Sequence, residues 1–111
     1  MTDTSSPIPP GTLEMLILQT LSREKALHGF AIAETIETMS EDVLRVEEGS
    51  LYPALQRLLL KGWITGDWGR TQENRRARYY QLTAVGRRQI EREIAGYRRV
   101  ARAIERVLQP A

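Results

Sequence analysis

One run of residues constrains the fold more than any other. Ile90, Ile94, Tyr97, Ala101, Ile104 and Leu108 recur at spacings of four, three, four, three and four. That is the heptad seam of a helix that packs along another helix. Thr83 is a candidate N-cap, so the pattern predicts a helix from about residue 84 to 108. Arg87, Arg88, Arg92, Arg98, Arg99, Arg102 and Arg106 surround the seam. A chain of 111 residues holds one domain with one modest core. The helix continues past that compact part, where nothing in the same chain remains to cover its seam. A partner helix from a second copy is the natural cover, which predicts a homodimer. A seam folded back on the chain's own first helix is the alternative.

Upstream, the chain reads as short helices and a hairpin. Residues 1–10 are polar and rich in proline (Pro7, Pro9, Pro10) and read as a mobile arm. Thr12 is a candidate cap for a first helix over residues 13–23 that is apolar nearly all round. Such a helix must be covered on more than one side. A second helix spans about 28–39, with Phe30, Ile32, Ala33, Ile36 and Met39 as its stripe and His28 as a cap or turn residue. Residues 44–46 form a short extended stretch. A third helix follows the Glu48-Gly49 turn, with Ser50 as its cap, Pro53 in its first turn, and Gly62 at its end. Residues 63–68 and 78–82 alternate as two strands around a long, charged tip.

The order helix, helix, helix, hairpin, long helix is that of a winged helix-turn-helix. The fold class predicted is therefore mainly α with a two-stranded β-wing, followed by a C-terminal dimerisation helix. The divisions are an arm at 1–10, a DNA-binding domain at 11–83 and the dimerisation helix at 84–111. Charge is divided to match. Residues 1–69 carry five Lys/Arg against ten Asp/Glu, while residues 70–111 carry eleven Arg against four Glu. A basic C-terminal third on an acidic body suggests a localised anion-binding face. A solvated arginine-rich helix is the plainer alternative.

Particular segments are more specific. His28-Gly29-Phe30, the run from Val46 through Gly49-Ser50-Leu51-Tyr52-Pro53 to Leu55, Gly62-Trp63-Ile64, and Arg75-Arg76-Ala77-Arg78-Tyr79-Tyr80-Gln81-Leu82-Thr83 with Gly86 resemble the PadR family of bacterial transcription regulators. The resemblance runs from about Pro10 to Leu108. It implies a dimeric, winged-helix DNA-binding protein of the short form, with a single C-terminal dimerisation helix. It also implies repression relieved by a small molecule, commonly a phenolic compound or a drug-like cation. Multidrug-sensing members place a tryptophan on the last helix. Here both tryptophans, Trp63 and Trp68, fall in the wing strands.

The expected DNA contacts follow from position. The start of a recognition helix meets the major groove, and a wing sets cations on phosphates or in the minor groove. Ser50 reads as a cap and a phosphate donor. Tyr52 reads as a phosphate or base-edge contact, in line with the family's matching tyrosine; a packed ring with a wet hydroxyl is the alternative. Pro53 offers an apolar edge to a thymine methyl, and Gln56 has the groups to read adenine. Arg57 and Lys61 read as phosphate partners, although cations at a helix end also suit its dipole. Arg75, Arg76 and Arg78 are the wing cations, with Arg70 a lesser candidate. Trp63, Trp68, Tyr79 and Tyr80 read as hairpin packing. Met15, Ile90, Ile94, Tyr97, Ala101 and Ile104 line the expected dimer interface, where a small aromatic or phenolic effector would sit; ordinary core packing is the alternative.

Other classes find little support. No apolar run approaches the length of a membrane helix, and the N-terminus lacks a signal-peptide plan, so the reading is cytoplasmic. With no cysteine and one histidine, neither a thiolate metal site nor any cofactor is expected. No catalytic constellation is recognisable, so an enzyme is not expected. The competing reading from another class is a protein-interaction module that uses the winged helix and a coiled-coil-like helix.

Overall fold

The computed structural model describes residues 5–9 and 11–110 of the chain. In chain order the elements are β1 (Ser6–Pro7), α1 (Leu13–Arg23), β2 (Leu27–His28), α2 (Gly29–Met39), β3 (Leu44–Arg45), α3 (Glu48–Lys61), β4 (Ile64–Arg70), β5 (Arg76–Leu82) and α4 (Ala84–Leu108). The molecule is mainly helical with a small antiparallel sheet, as the winged-helix order predicts.

α1 is the centre of the core. Its Ile17, Leu18 and Leu21 are fully buried, together with Ile32 of α2, Ala54 and Leu58 of α3, and Ile64 of β4. α2, α3, α4 and β5 all pack on α1. That answers the demand of its near-continuous apolar surface, and the cover comes from the same chain. Thr12 occupies the N-cap position of α1, but its hydroxyl donates to the Pro9 carbonyl (2.7 Å) instead of capping the helix. His28 caps α2 directly: the Ala31 N–H donates to its Nδ1 at 3.2 Å.

The sheet has three strands, not two. β2 pairs antiparallel with β5 through Leu27↔Tyr80 and His28↔Tyr79, and β5 lies between β2 and β4. A two-residue strand has no periodicity of its own to announce it. The hairpin strands are longer than the sequence pattern predicts, and the tip is shorter. Strand pairing runs from Ile64↔Leu82 to Arg70↔Arg76, leaving only residues 71–75 to turn the chain. Asn74 takes a left-handed conformation there (φ 62°), as the side chain of Asn tolerates.

The segment read as a mobile arm is in part tied down. Ser6 and Pro7 pair in parallel with Leu44 and Arg45, and the Ser6 N–H donates to the Val43 carbonyl at 2.7 Å. Ile8 packs on the core. Of the rest of that arm, residues 1–4 and Pro10 lie outside the described residues.

α3 begins earlier than expected. Glu47, not Ser50, stands at the N-cap, and its carbonyl accepts from the N–H groups of Ser50 (3.0 Å) and Leu51 (2.9 Å). The Glu47 carboxylate is turned away to Arg45 at 2.6 Å and does not cap. Pro53 is therefore inside the helix, beyond its first turn. The end matches expectation. Gly62 adopts φ 76°, a left-handed cap that favours glycine, and its N–H returns to the last turn.

α4 matches its predicted bounds, with the Gly86 N–H donating to Thr83 Oγ1 at 3.0 Å. Its seam changes character along its length. Ile90 is 4% exposed and belongs to the core, whereas Tyr97 is 49% and Leu108 68% exposed. The radius of gyration, 15.4 Å, exceeds the roughly 13 Å of a compact domain of this length because the second half of α4 projects outward.

Candidate nucleic-acid interface

α3 presents its faces in an order set by 100° per residue. Leu51, Ala54, Leu55 and Leu58 face the core. The opposite face carries Gly49, Pro53, Gln56 and Leu60, all exposed. Ser50, Arg57 and Lys61 lie on one flank and Tyr52 on the other. Leu60 is a large apolar side chain in full view of solvent that sequence reasoning did not single out.

The two flanks behave differently. Glu14 of α1 takes both cations of its flank. Arg57 Nε lies 3.4 Å from Glu14 Oε2, and Lys61 Nζ lies 3.1 Å from Glu14 Oε1. Lys61 also stands 4.6 Å above the Trp63 ring. The expected phosphate partners on α3 thus share one carboxylate, which offsets one of their two charges. That carboxylate is more than forty residues away in sequence, so no local pattern could have revealed it.

On the other flank, Tyr52 is 50% exposed, and its ring rests on the first residue of α2. A Cβ at Gly29 would stand 3.1 Å from the Tyr52 hydroxyl. The bare backbone there seats the hydroxyl end of the ring, and half of the residue stays exposed.

The wing cations come from β5 and the turn. Among the described residues, no acidic group pairs with Arg75, Arg76 or Arg78. Arg75 is exposed at the turn, where its backbone bonds to Thr71. Arg70 is used structurally, donating to the Asn74 carbonyl at 3.2 Å. Arg76 stacks 4.3 Å from the centre of the Trp68 ring. Arg78 lies 5.9 Å from the Tyr80 ring, and its Nε is buried without a hydrogen-bond partner among the described residues. Burial pushes the Tyr80 hydroxyl above its usual pKa; Arg78 opposes that shift and Tyr52 adds to it. Arg78 and Tyr52 thus both act electrostatically on Tyr80.

The chain matches the transcriptional regulator PadR-like family over residues 17–92. It belongs to the PadR-like family of transcriptional regulators. Solved structures share the PadR-like fold. A transcriptional regulator from Clostridium thermocellum, 22% identical, superposes with a TM-score of 0.80 over 89% of this chain and 95% of that one. A PadR-like transcriptional regulator from Bacillus cereus is 27% identical over 91% of this chain and 95% of its own, with a TM-score of 0.73. A PadR family transcription regulator from Clostridium difficile is 26% identical, with a TM-score of 0.73 over 89% of this chain and all of that one. As a PadR-like protein the chain is a regulator that works through DNA.

The residues expected at a PadR-like dimer interface are not all brought together within one chain. Ile90 is in the core, and Met15 and Ile94 pack at its edge. Ala101 is half-buried, while Tyr97 and Ile104 open to solvent. A separate cleft of about 410 Å³ opens between β1 and the start of α3, lined by Ile8, Arg45, Ser50, Pro53 and Arg57 among others. None of the seam residues lines it. No helix among the described residues is long and apolar enough to cross a membrane.

Proposed function

We propose that this PadR-like regulator is a cytoplasmic homodimeric repressor that binds an inverted-repeat operator and is released by a small aromatic effector. Its DNA contacts would be Ser50, Tyr52, Pro53 and Gln56 on α3, with Arg75, Arg76 and Arg78 on the wing. Arg57 and Lys61, which share the Glu14 carboxylate, contribute less. The observation that carries the reading is a half-exposed Tyr52 near the start of α3 together with wing arginines that meet no acidic group among the described residues. A helix start and a basic hairpin side by side are the parts needed to read a groove and hold its phosphates.

Dimerisation is supported by the apolar side chains that α4 leaves open: Tyr97, Val100, Ile104, Val107 and Leu108. A second copy of α4 continues the seam and covers them. Two recognition helices related by a two-fold axis call for half-sites about one or two helical turns apart. The effector reading rests on family resemblance. It places the ligand at the interface of the two seams, near Met15, Ile94 and Tyr97, where the open residues of each copy meet.

The test is a gel shift on the chain's own promoter region, with sedimentation as control. Tyr52→Ala should abolish operator binding while the protein sediments as a dimer. Normal operator affinity in that variant would overturn the recognition-helix reading.

A further inference from the structure

The wing arginines do not simply project into solvent. In the β4–β5 ladder Arg76 stands opposite Arg70, Arg78 opposite Trp68, and Tyr80 opposite Gly66. Directly opposed residues share a face of the sheet, so all six side-chain positions lie on one side. Both arginines lean in the same direction, one pair toward the base of the hairpin. Arg76 reaches diagonally onto the Trp68 ring at 4.3 Å. Arg78 reaches diagonally across Gly66, so closely that a Cβ there would stand 2.6 Å from its Nε.

β4 thus alternates a slot and a platform beneath two cations. Trp68 is 60% exposed, so its ring does little for the core and remains available to the guanidinium above it. The Gly66 slot brings a cost. Arg78 Nε is buried there with no partner among the described residues, which is unfavourable for a hydrogen-bond donor. Glycine also weakens a strand interior and often marks a close approach. A role in stability alone accounts for neither feature. Holding a guanidinium in one orientation before a ligand arrives accounts for both, because a side chain already ordered loses less entropy on binding.

We propose that Gly66 and Trp68 are positioning residues that fix Arg78 and Arg76, respectively, for DNA phosphate. The inference rests on the DNA-binding reading of the wing given above. It adds that the neutral strand β4 sets how well the charged strand β5 binds. Gly66 has no positive φ, so alanine fits its backbone and evicts only the arginine.

The experiment measures binding of the full chain to a fluorescein-labelled random-sequence duplex about three helical turns long, by anisotropy across a salt series. Gly66→Ala, Trp68→Ala, Trp68→Phe, Arg76→Ala, Arg78→Ala and the double variant Gly66→Ala/Arg78→Ala are compared, each with a thermal melt. Gly66→Ala should weaken binding about threefold to tenfold at low salt. It should flatten the salt slope as Arg78→Ala does, by about 0.9 for each phosphate that is no longer neutralised, while melting at or above the wild-type temperature. The double variant should bind no worse than Arg78→Ala, because the glycine acts through that arginine. Trp68→Ala should behave like Arg76→Ala, and Trp68→Phe should recover most of the affinity. If the arginine variants weaken binding but Gly66→Ala and Trp68→Ala bind like wild type, the positioning role is overturned and the DNA-binding wing stands. Additive losses in the double variant overturn it as well. If neither arginine variant weakens binding, the wing reading falls and the positioning role with it.

Discussion

Two pairs of cations flank the candidate reading surface, and the protein treats them in opposite ways. Arg57 and Lys61 on α3 share the carboxylate of Glu14. Arg76 and Arg78 on β5 have no acidic partner among the described residues and lie instead over Trp68 and Gly66. All four are basic residues on α3 or the wing, and by charge alone they are equivalent. The difference is in the environment: one pair shares a carboxylate that offsets one of its two charges in the free protein, and the other meets no acidic group among the described residues. A cation already paired with a carboxylate gains less from a phosphate, so the wing should carry most of the salt-dependent affinity.

The largest effect expected is from removing the wing pair. Arg76→Ala/Arg78→Ala should lower affinity for any duplex about a hundredfold at low salt, since removing each charge-assisted bond to phosphate costs about tenfold or more. Anisotropy at several salt concentrations checks this, and a loss confined to one sequence would break the comparison. Next is Glu14→Gln, which frees the α3 pair. Affinity should rise about twofold to fivefold, with a loss of stability under about 1 kcal/mol because the pairs are substantially exposed. Unchanged affinity in that variant would put Arg57 and Lys61 outside the path of the DNA altogether. Smallest is Arg57→Ala in the wild-type background, expected to weaken binding no more than about twofold. A loss matching that of Arg78→Ala would make the α3 and wing cations equals, and the comparison would no longer hold.

Much of this architecture is legible in one dimension. α4 keeps its predicted bounds because a heptad pattern with a threonine cap is a local signal of great length. The bounds of α1, though not its Thr12 cap, and the end of α3 at Gly62 are read equally well. The start of α3 is misread for a physical reason: Ser50 is the better capping residue, but the Glu47 backbone already serves two N–H groups. β2 is invisible in sequence because its two residues become a strand only through pairing with Tyr79 and Tyr80. The same holds for Ser6 and Pro7, whose proline-rich setting suggests an arm and whose partners are Leu44 and Arg45. The wing arginines are evident as a motif. The roles of Gly66, Trp68 and Glu14 beside the cations are not, because each depends on a neighbour from another element.

The sequence by itself therefore determined the winged-helix order, the long seamed helix and the family, since these rest on periodicity, caps and motif residues that are local. Tertiary structure alone decided which cations are free. Whether a guanidinium meets a carboxylate, an indole or a bare glycine depends on what the fold places across from it. Charge is written in the residue; its availability is set by the neighbour.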